Sequence, residues 1–359
     1  MVRSQRALTP QPPSQASSPS KTPDRSIYPR YPLTLATPPD MNFTSASRLG
    51  AQTALALSFA AILATPANAE KKKLDSVAVT VPDTTNPFFV QVVHGAQAKA
   101  KEINSKAKFT AESSGYDVKA QADQIDRFIA SGTNLILLGA ADSKGIAPAV
   151  QRAKQAGITV VAIDVGAEGG VDATVTSNNR QAGQEAGKYV ADRLKGSGQV
   201  IIVNGEPVTA VTDRVAGFLE EINKHPDIKI LSQDRNAEGT RAGGQRVMGE
   251  LLKMFPKIDA VFAVNDPTAI GCDLAARQAQ RKDFFIVGVD GAPEVVPALK
   301  DPQSLIAASA AQDPYLMAQE AVEIGNRILQ GEKPKEAVTL IRVGLITRDN
   351  VARYTGWTK

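Results

Sequence analysis

Short runs of β-branched residues alternate with longer stretches of helical apolar spacing from Leu74 almost to the end of the chain. The run Ser76–Val81 has valine at every second position, which is typical of a strand. From Phe88 the apolar residues recur at helical spacing, and Asn86 and Pro87 suit the N-cap and the first position of that helix. The same change from strand to helix repeats along the chain.

The pattern predicts strands at Ser76–Val81, Lys108–Glu112, Asn134–Leu138, Thr159–Ile163, Ala173–Thr176, Gln199–Val203, Lys229–Leu231, Ala260–Val264 and Phe284–Val289. It predicts helices at Phe88–Ile103, Val118–Ser131, Gly145–Ala156, Arg180–Leu194, Asp213–Asn223, Ala242–Met254 and Thr268–Gln278. Gly132, Gly157 and Gly196 stand where a C-terminal glycine is expected, and they support three of the helix ends.

Regular alternation of strands and helices predicts parallel sheets that are covered by helices on both faces. The alternation runs for too many units to make one sheet, and it pauses near Ser177. We therefore predict an α/β fold of two doubly wound parallel-sheet lobes with a cleft between them.

Residues 1–69 are predicted to lie outside this fold. Residues 1–40 are rich in Pro, Ser, Thr and basic residues and show no apolar period, so we expect them to be disordered, or untranslated if Met41 is the true start. Arg48, the apolar run Ala54–Ala64 and the small residues Ala67–Ala69 then have the order of a secretory signal peptide, residues 41–69. The apolar run is roughly half of what spans a bilayer.

Charge and cysteine content narrow the classes of function. The whole chain has 41 Lys or Arg and 37 Asp or Glu, a net charge of +4. Residues 1–69 hold six of the basic and two of the acidic side chains, so the remaining chain carries 35 of each. This neutral balance gives no case for nucleic acid or an anionic membrane as a partner. With one cysteine, Cys272, and two histidines, neither an intrachain disulfide nor the usual zinc spacing is possible.

Polar side chains recur just after the predicted strands, as Asn86, Asp164, Asn265 and Asp290 show. The carboxyl ends of parallel strands share one edge of a sheet, where open α/β sheets bind ligands. With neighbouring residues they give a candidate binding set: Asn86, Phe88, Phe89, Asp164, Arg214, Asn265, Asp290 and Gln312. Acidic, amide and guanidinium groups pair with the hydroxyls of a polyol, and aromatic rings pack on the C–H faces of a sugar. Helix capping is the alternative role of each Asp or Asn, and core packing that of the phenylalanines.

Catalytic patterns are weaker. His94 and His225 belong to no recognisable triad, and no Gly-x-Ser-x-Gly, Walker A or Gly-x-Gly-x-x-Gly motif follows a strand. Asp164 and Asp290 could form the carboxylate pair of a glycosidase, but hydrogen bonding to a ligand explains them more simply. We predict no enzymatic activity, no catalytic residue, no cofactor and no metal site.

Six short motifs occur in an order that resembles the pentose and hexose class of periplasmic sugar-binding proteins, of which the ribose-binding protein is the best-known member. They are Asn86-Pro87-Phe88-Phe89, Ile163-Asp164, Asp213-Arg214-x-x-Gly217-Phe218, Phe262-Ala263-x-Asn265-Asp266, Val287-Gly288-x-Asp290-Gly291 and Ala311-Gln312-Asp313-Pro314. Each motif is weak alone, but the six in this order are specific. The similarity extends from about Leu74 to Val351, where a segment typical of the end of the fold is found.

The resemblance implies a type I periplasmic-binding fold whose lobes are joined by three hinge crossings, near Ser177, Gln312 and Arg342. It assigns residues 70–177 and 313–341 to the N-terminal lobe, and residues 178–312 and 342–359 to the C-terminal lobe. It further implies ligand contacts from one side by Asn86, Phe88, Phe89 and Gln312, and from the other by Arg214, Asn265 and Asp290. Asp164 is expected to make a bidentate contact with ligand hydroxyls.

Departures from the ribose-binding pattern concern the ligand. Val165 stands where ribose binders have an arginine, Gly139 where they have an asparagine, and Val289 where they have an aromatic residue. A further aromatic position falls near Ala237, so the site is expected to lose two ring walls. Glu206 adds an acid that could face the cleft. The hypothesis is therefore a sugar or polyol other than ribose, either larger or bearing a cationic group that pairs with Glu206.

The sequence thus predicts a monomeric periplasmic protein that captures a small sugar or polyol and delivers it to a membrane ABC permease. A sensor that presents its ligand to a membrane chemoreceptor or histidine kinase is compatible with the same features. The effector domain of a sugar-responsive repressor is a less favoured alternative, because residues 1–69 offer no helix-turn-helix for DNA.

Overall fold

Strands and helices alternate through residues 71–357, the part of the chain that this computed structural model describes. The strands are β1 (Ser76–Val81), β2 (Lys108–Ser113), β3 (Leu135–Leu138), β4 (Thr159–Ile163), β5 (Ala173–Ser177), β6 (Ser197–Asn204), β7 (Asp227–Asn236), β8 (Ala260–Ala263), β9 (Phe285–Asp290), β10 (Ile306–Ala311), β11 (Val338–Ile341) and β12 (Gly344–Thr347). The helices are α1 (Pro87–Ile103), α2 (Val118–Ala130), α3 (Ala147–Gln155), α4 (Asn179–Arg193), α5 (Thr209–Ile222), α6 (Arg241–Met254), α7 (Asp266–Gln278), α8 (Val295–Lys300) and α9 (Pro314–Leu329). The disordered segment and signal peptide predicted for residues 1–69 lie outside the described residues.

These strands form two six-stranded sheets. The first has the order β11-β5-β4-β3-β1-β2, and all its pairs are parallel. The second has the order β12-β10-β9-β8-β6-β7 and is parallel except for its edge strand β12, which runs antiparallel to β10. The predicted α/β fold with two doubly wound lobes is confirmed.

Apolar side chains fill both faces of each sheet. In β1, Val77, Val79 and Val81 belong to one core cluster, whereas Ala78 belongs to the cluster on the opposite face. The central strands β3 and β4 are buried at every position, as expected for parallel strands between two layers of helices. The second sheet has a cluster on each face in the same way.

Most predicted elements are confirmed within a few residues, but some strands are absent from the prediction. Strand β10 has the sequence Ile-Ala-Ala-Ser-Ala-Ala and is buried throughout. Alanine is depleted in strands, so its pairing with β9 on one side and β12 on the other explains its conformation. Strands β11 and β12 are short edge strands with no long apolar run. Helix α5 begins at Thr209, four residues before the predicted start at Asp213.

The chain passes between the two sheets at three places within the described residues. It leaves the first sheet after Ser177 at the end of β5, returns through Gln312 after β10, and leaves again through Arg342 after β11. Each crossing thus follows the last residue of a strand. The polar residues that come after the strands line the cleft that separates the sheets.

Glycines bring helices α4 and α5 into close contact in the second lobe. A Cβ atom on Gly183 would lie 1.9 Å from the carbonyl oxygen of Arg214, and one on Gly217 would lie 2.0 Å from that of Arg180. Only glycine fits at these positions, because no side-chain movement relieves a clash with backbone. The contact fixes the helix that carries Arg214.

We expect Gly217→Ala to lower the free energy of unfolding by about 1–3 kcal/mol, because the added methyl group forces α4 and α5 apart. Gly249→Ala is the matched control, since Gly249 is also inside a helix but a Cβ atom there would have no other atom within 4 Å. That variant should be neutral or gain up to about 1 kcal/mol from helix propensity. Urea denaturation measures both, and equal values for the two variants would contradict the helix-contact argument.

Candidate ligand-binding site

The cleft between the sheets has a volume of about 990 Å³, at the upper end for small-molecule sites. The structure places every candidate residue along it: Asn86, Phe88, Phe89, Asp164, Glu206, Arg214, Asn265, Asp290 and Gln312. They come from chain segments that are far apart in sequence. The strand ends of both sheets bring them together.

The loop after β1 supplies the aromatic side of the cleft. The Asn86 side chain accepts a hydrogen bond from the Phe88 backbone N–H at 2.9 Å and so caps α1. The cap fixes the first turn, in which the rings of Phe88 and Phe89 lie edge to face with centroids 5.3 Å apart. Both rings are largely buried and also line the cleft. The binding and structural alternatives for these residues are therefore compatible.

Asp164 follows β4 with a backbone φ of +70°, a left-handed conformation that Asp tolerates better than most residues. Its N–H donates to the Val175 carbonyl oxygen at 2.9 Å, and its own carbonyl oxygen accepts from the Thr176 hydroxyl at 2.6 Å. These bonds anchor the backbone but leave the side chain free. The Asp164 carboxylate accepts no hydrogen bond from any described residue.

The Asp164 carboxyl has a raised pKa. Burial raises the pKa of its carboxyl to about 6, with Arg214 acting in the opposite direction and Asp290 adding to the rise. A carboxylate that is removed from water and given no donor by the protein is poised to accept hydrogen bonds from a ligand.

Arg214 is held rigidly in the second lobe, with 6% of its surface exposed. Its Nε donates to Asn179 Oδ1 at 2.9 Å, and its Nη1 donates to the Val264 carbonyl oxygen at 2.9 Å. Nη1 also lies 3.2 Å from Asp290 Oδ1. The remaining nitrogen, Nη2, has no acceptor among the described residues, and Arg214 is one of the residues that line the cleft.

Asp290 and Gln312 form the next part of the network. Gln312 Nε2 donates to Asp290 Oδ1 at 2.8 Å, while the buried Gln312 Oε1 has no partner among the described residues. Burial raises the pKa of the Asp290 carboxyl, and the adjacent Arg214 guanidinium opposes that rise. Asp290 has a backbone φ of 132°, a strained conformation of the kind found at functional sites.

The side chains of Asn265 and Glu206 already have hydrogen-bond partners within the protein. Asn265 caps α7 by accepting from the Thr268 N–H at 3.0 Å, and its amide donates to the Gly239 carbonyl oxygen at 2.8 Å. Glu206 lies exposed at the rim of the cleft, where it accepts from Asn236 Nδ2 at 2.9 Å. Glu206 therefore faces the opening of the cleft rather than its buried end.

Several lining residues were missed by sequence reasoning. Tyr116 lies in the loop between β2 and α2 with a φ of 62° and 61% exposure, and Trp357 lies near the end of the chain. The site was expected to lose two ring walls at other positions, and these two rings line the cleft in addition to Phe88 and Phe89. Neither belongs to a strand-end pattern that would have revealed it.

Asp266 was not among the candidate binding residues, yet it connects several segments of the second lobe. It is fully buried, accepts from the Ser309 hydroxyl at 2.6 Å and accepts from the Ala292 N–H at 2.8 Å. Burial, together with the nearby Asp290, holds the pKa of the Asp266 carboxyl well above its usual value. Its oxygens accept from protein donors, so Asp266 joins the start of α7 to strand β10 and to the loop after β9.

The described residues contain no cluster of three or more side chains suited to a metal ion, and none of their helices is long and apolar enough to cross a bilayer. What the cleft offers is a set of hydrogen-bond donors and acceptors beside aromatic rings. This combination suits a polyhydroxylated ligand.

Comparisons with known proteins identify similar chains. A family model described as a periplasmic binding protein domain matches residues 77–333. A ribose import binding protein of Salmonella typhimurium is 34% identical over 269 residues, which cover 74% of this chain and 88% of that protein. A D-apiose import binding protein of Paraburkholderia graminis is 29% identical and covers 83% of this chain and 96% of that protein.

Among solved structures, a similar one is the periplasmic binding protein component of the arabinose ABC transporter from Shewanella sp. ANA-3, bound to α- and β-L-arabinofuranose. The two chains superpose with a TM-score of 0.70 at 26% identity. The match covers 77% of this chain and 93% of that one.

The raised pKa of Asp164 predicts a pH-dependent effect on stability. Because the folded state binds this proton more tightly than the unfolded state, the contribution of Asp164 to stability falls as pH rises from about 4 to about 6. Asp164→Asn, which removes the charge and tolerates the same backbone, should therefore raise the free energy of unfolding at pH 7. The gain should disappear toward pH 4.

Urea denaturation of the ligand-free protein at several pH values tests this expectation. Asp192→Asn, which removes an exposed carboxylate on α4 outside the cleft, is the control for the loss of one negative charge. A gain from Asp164→Asn that is the same at pH 4 and pH 7 would contradict the assignment.

Proposed function

The chain belongs to the periplasmic binding protein family, and from this premise we propose that it captures a sugar or polyol in the cleft between its lobes for an ABC importer. The relatives are import binding proteins for sugars, including ribose and apiose. The function proposed is therefore binding without turnover.

One observation carries the proposal: the groups left without protein partners at the cleft match the needs of neighbouring hydroxyls. The Asp164 carboxylate and Gln312 Oε1 are acceptors without donors, and Arg214 Nη2 is a donor without an acceptor among the described residues. A sugar hydroxyl can donate to one group and accept from another, so it satisfies both kinds. The C–H face of the ring can then pack against Phe88 and Phe89.

These contacts come from both lobes, which explains how binding would be coupled to closure. Phe88, Phe89 and Asp164 belong to the first lobe, Arg214 and Asp290 to the second, and Gln312 lies in a crossing. A ligand that bonds to both sides stabilises the closed arrangement over the open one. Bending would occur at the three crossings.

We propose the periplasm as the site of action, with residues 41–69 as the signal that directs export. The matching family model is described as a periplasmic binding protein domain, and the relatives are import binding proteins, which supports the location. The protein would act as a monomer and pass its ligand to a membrane permease.

The ligand is proposed to differ from ribose. Val165, an apolar residue directly after Asp164, lines the cleft and offers no hydrogen bond from its side chain. The loss of a charged donor beside Asp164 favours a sugar or polyol with fewer acceptors at that position. Because Glu206 lies at the exposed rim, a cationic group could reach it only on a ligand that extends to the opening.

Native mass spectrometry of protein purified from a rich medium, followed by sugar analysis after denaturation, tests the function directly. A single bound sugar or polyol is the expected result. Thermal shift with ribose, apiose, arabinose, xylitol, myo-inositol and glucosamine follows. Empty protein without a shift for any compound would contradict the proposal, and ribose as the tightest ligand would contradict the proposed selectivity alone.

Asp164→Ala should weaken binding of the best compound in this panel by at least ~2 kcal/mol, about 30-fold, because ligand hydroxyls lose their acceptor in a closed site. Binding to the wild-type protein should also weaken as pH falls below about 6, where Asp164 becomes protonated. Isothermal titration calorimetry measures both effects. Asp192→Ala serves as the control outside the cleft, and a loss below ~0.5 kcal/mol for Asp164→Ala would count against its role.

A further inference from the structure

The C-terminal segment returns to the cleft after the last strand. After the 3-10 helix Val351–Arg353, the Tyr354 hydroxyl donates to the Gly291 carbonyl oxygen at 2.7 Å. Trp357 Nε1 donates to the neighbouring carbonyl oxygen of Asp290 at 3.1 Å. Two side chains of this segment thus hold two consecutive carbonyl groups of the loop that begins with Asp290, the last residue of β9.

The backbone of that loop has a positive φ at two consecutive residues. Asp290 has a φ of 132°, and Gly291 has a φ of 66°. A Cβ atom on Gly291 would lie 2.5 Å from the Cβ atom of Ala311 and 2.6 Å from the Tyr354 hydroxyl. Burial raises the pKa of Tyr354, so its hydroxyl stays protonated and remains a donor. The loop is therefore kept in a strained conformation by partners that come from the end of the chain.

Trp357 also contacts the opposite lobe. Its ring is 5% exposed and lies edge to face with Phe88, with centroids 5.5 Å apart. Phe88 in turn lies edge to face with Phe89, so three aromatic rings form a continuous row. Trp357 packs in the core cluster of the first lobe, although residues 342–359 were assigned to the C-terminal lobe from the sequence. The ring thus spans the boundary between the lobes.

We propose that Trp357 is a positioning residue of the binding site, which sets the distance between the Phe88 ring in one lobe and the Asp290 carboxylate in the other. This inference rests on the proposed function, since it concerns how the cleft selects its ligand. The Asp290 carboxylate that Trp357 steadies through the backbone is the one that Arg214 and Gln312 contact. A change at Trp357 would therefore alter both an apolar wall and a polar partner of the ligand.

The chain offers a direct probe, because Trp357 is its only tryptophan. In ligand-free protein, acrylamide should quench its fluorescence weakly, as expected of a buried ring. Phe88→Leu should increase the quenching by at least twofold, because the edge-to-face partner is lost. Quenching that is unchanged by Phe88→Leu overturns the inference whether or not any sugar binds.

The second arm measures affinity and selectivity by calorimetry with ribose, apiose, arabinose, xylitol and myo-inositol. Trp357→Ala should weaken the best of these compounds at least tenfold and change the ratio of affinities among them. Trp357→Phe retains a ring beside Phe88 but loses the Nε1–H donor, so its loss should be at least threefold and smaller than that of Trp357→Ala. Trp357→Phe also keeps the test decisive if the alanine variant does not fold.

Tyr189→Ala is the matched control, because Tyr189 also makes an edge-to-face contact, with Phe285, but lies outside the cleft. It should lower the melting temperature and leave affinity and selectivity unchanged. If both Trp357 variants behave like this control, Trp357 has a merely structural role and the inference is wrong. Failure of the wild-type protein to bind any sugar would instead overturn the proposed function.

Discussion

The buried guanidinium of Arg214 is the group on which the arrangement of the cleft depends. Removing a charge from water is costly unless it is paired and hydrogen-bonded. Arg214 donates to an amide and a backbone carbonyl through Nε and Nη1, and Nη1 also lies beside the Asp290 carboxylate. Each partner comes from a different segment of the second lobe. The need to pair one buried cation thus ties together the start of α4 and the ends of β8 and β9, and with them the Asp290 carboxylate that lines the cleft.

The acidic side chains of the two lobes differ in their hydrogen-bond partners. Asp290 accepts from Gln312 and lies beside Arg214, whereas the Asp164 carboxylate has no donor among the described residues and burial raises its pKa. Under the proposed function, a ligand hydroxyl that donates to Asp164 offsets the cost of burying this carboxylate. A site built in this way gains selectivity for hydroxylated ligands, because an apolar compound of the same shape would leave the Asp164 carboxylate unpaired.

Much of this could be predicted from the sequence, because its signals are local. Strands β1 and β4 have the bounds that β-branched spacing predicted, and the polar residues after the strands lie together since parallel strands end at one edge. Capping and ligand binding were weighed as alternatives for Asn86, whereas the structure shows a cap that also lines the cleft. Trp357 and Tyr116 could not be predicted in this way, because their places depend on how distant segments pack. Strand β10 was not predicted for the same reason, because its alanines form a strand only when the neighbouring strands of the sheet are in place.

The close approach of α4 and α5 at Gly183 and Gly217 has a consequence for the energetics of recognition. Helices whose backbones touch cannot slide or rotate past each other, so the second lobe presents a pre-organised half-site. Little conformational entropy is then lost within that lobe when the ligand arrives. The free energy of binding then mainly drives the closure of two rigid lobes. The affinity therefore depends on how easily the crossings between the lobes bend, rather than on how the pocket itself adapts to the ligand.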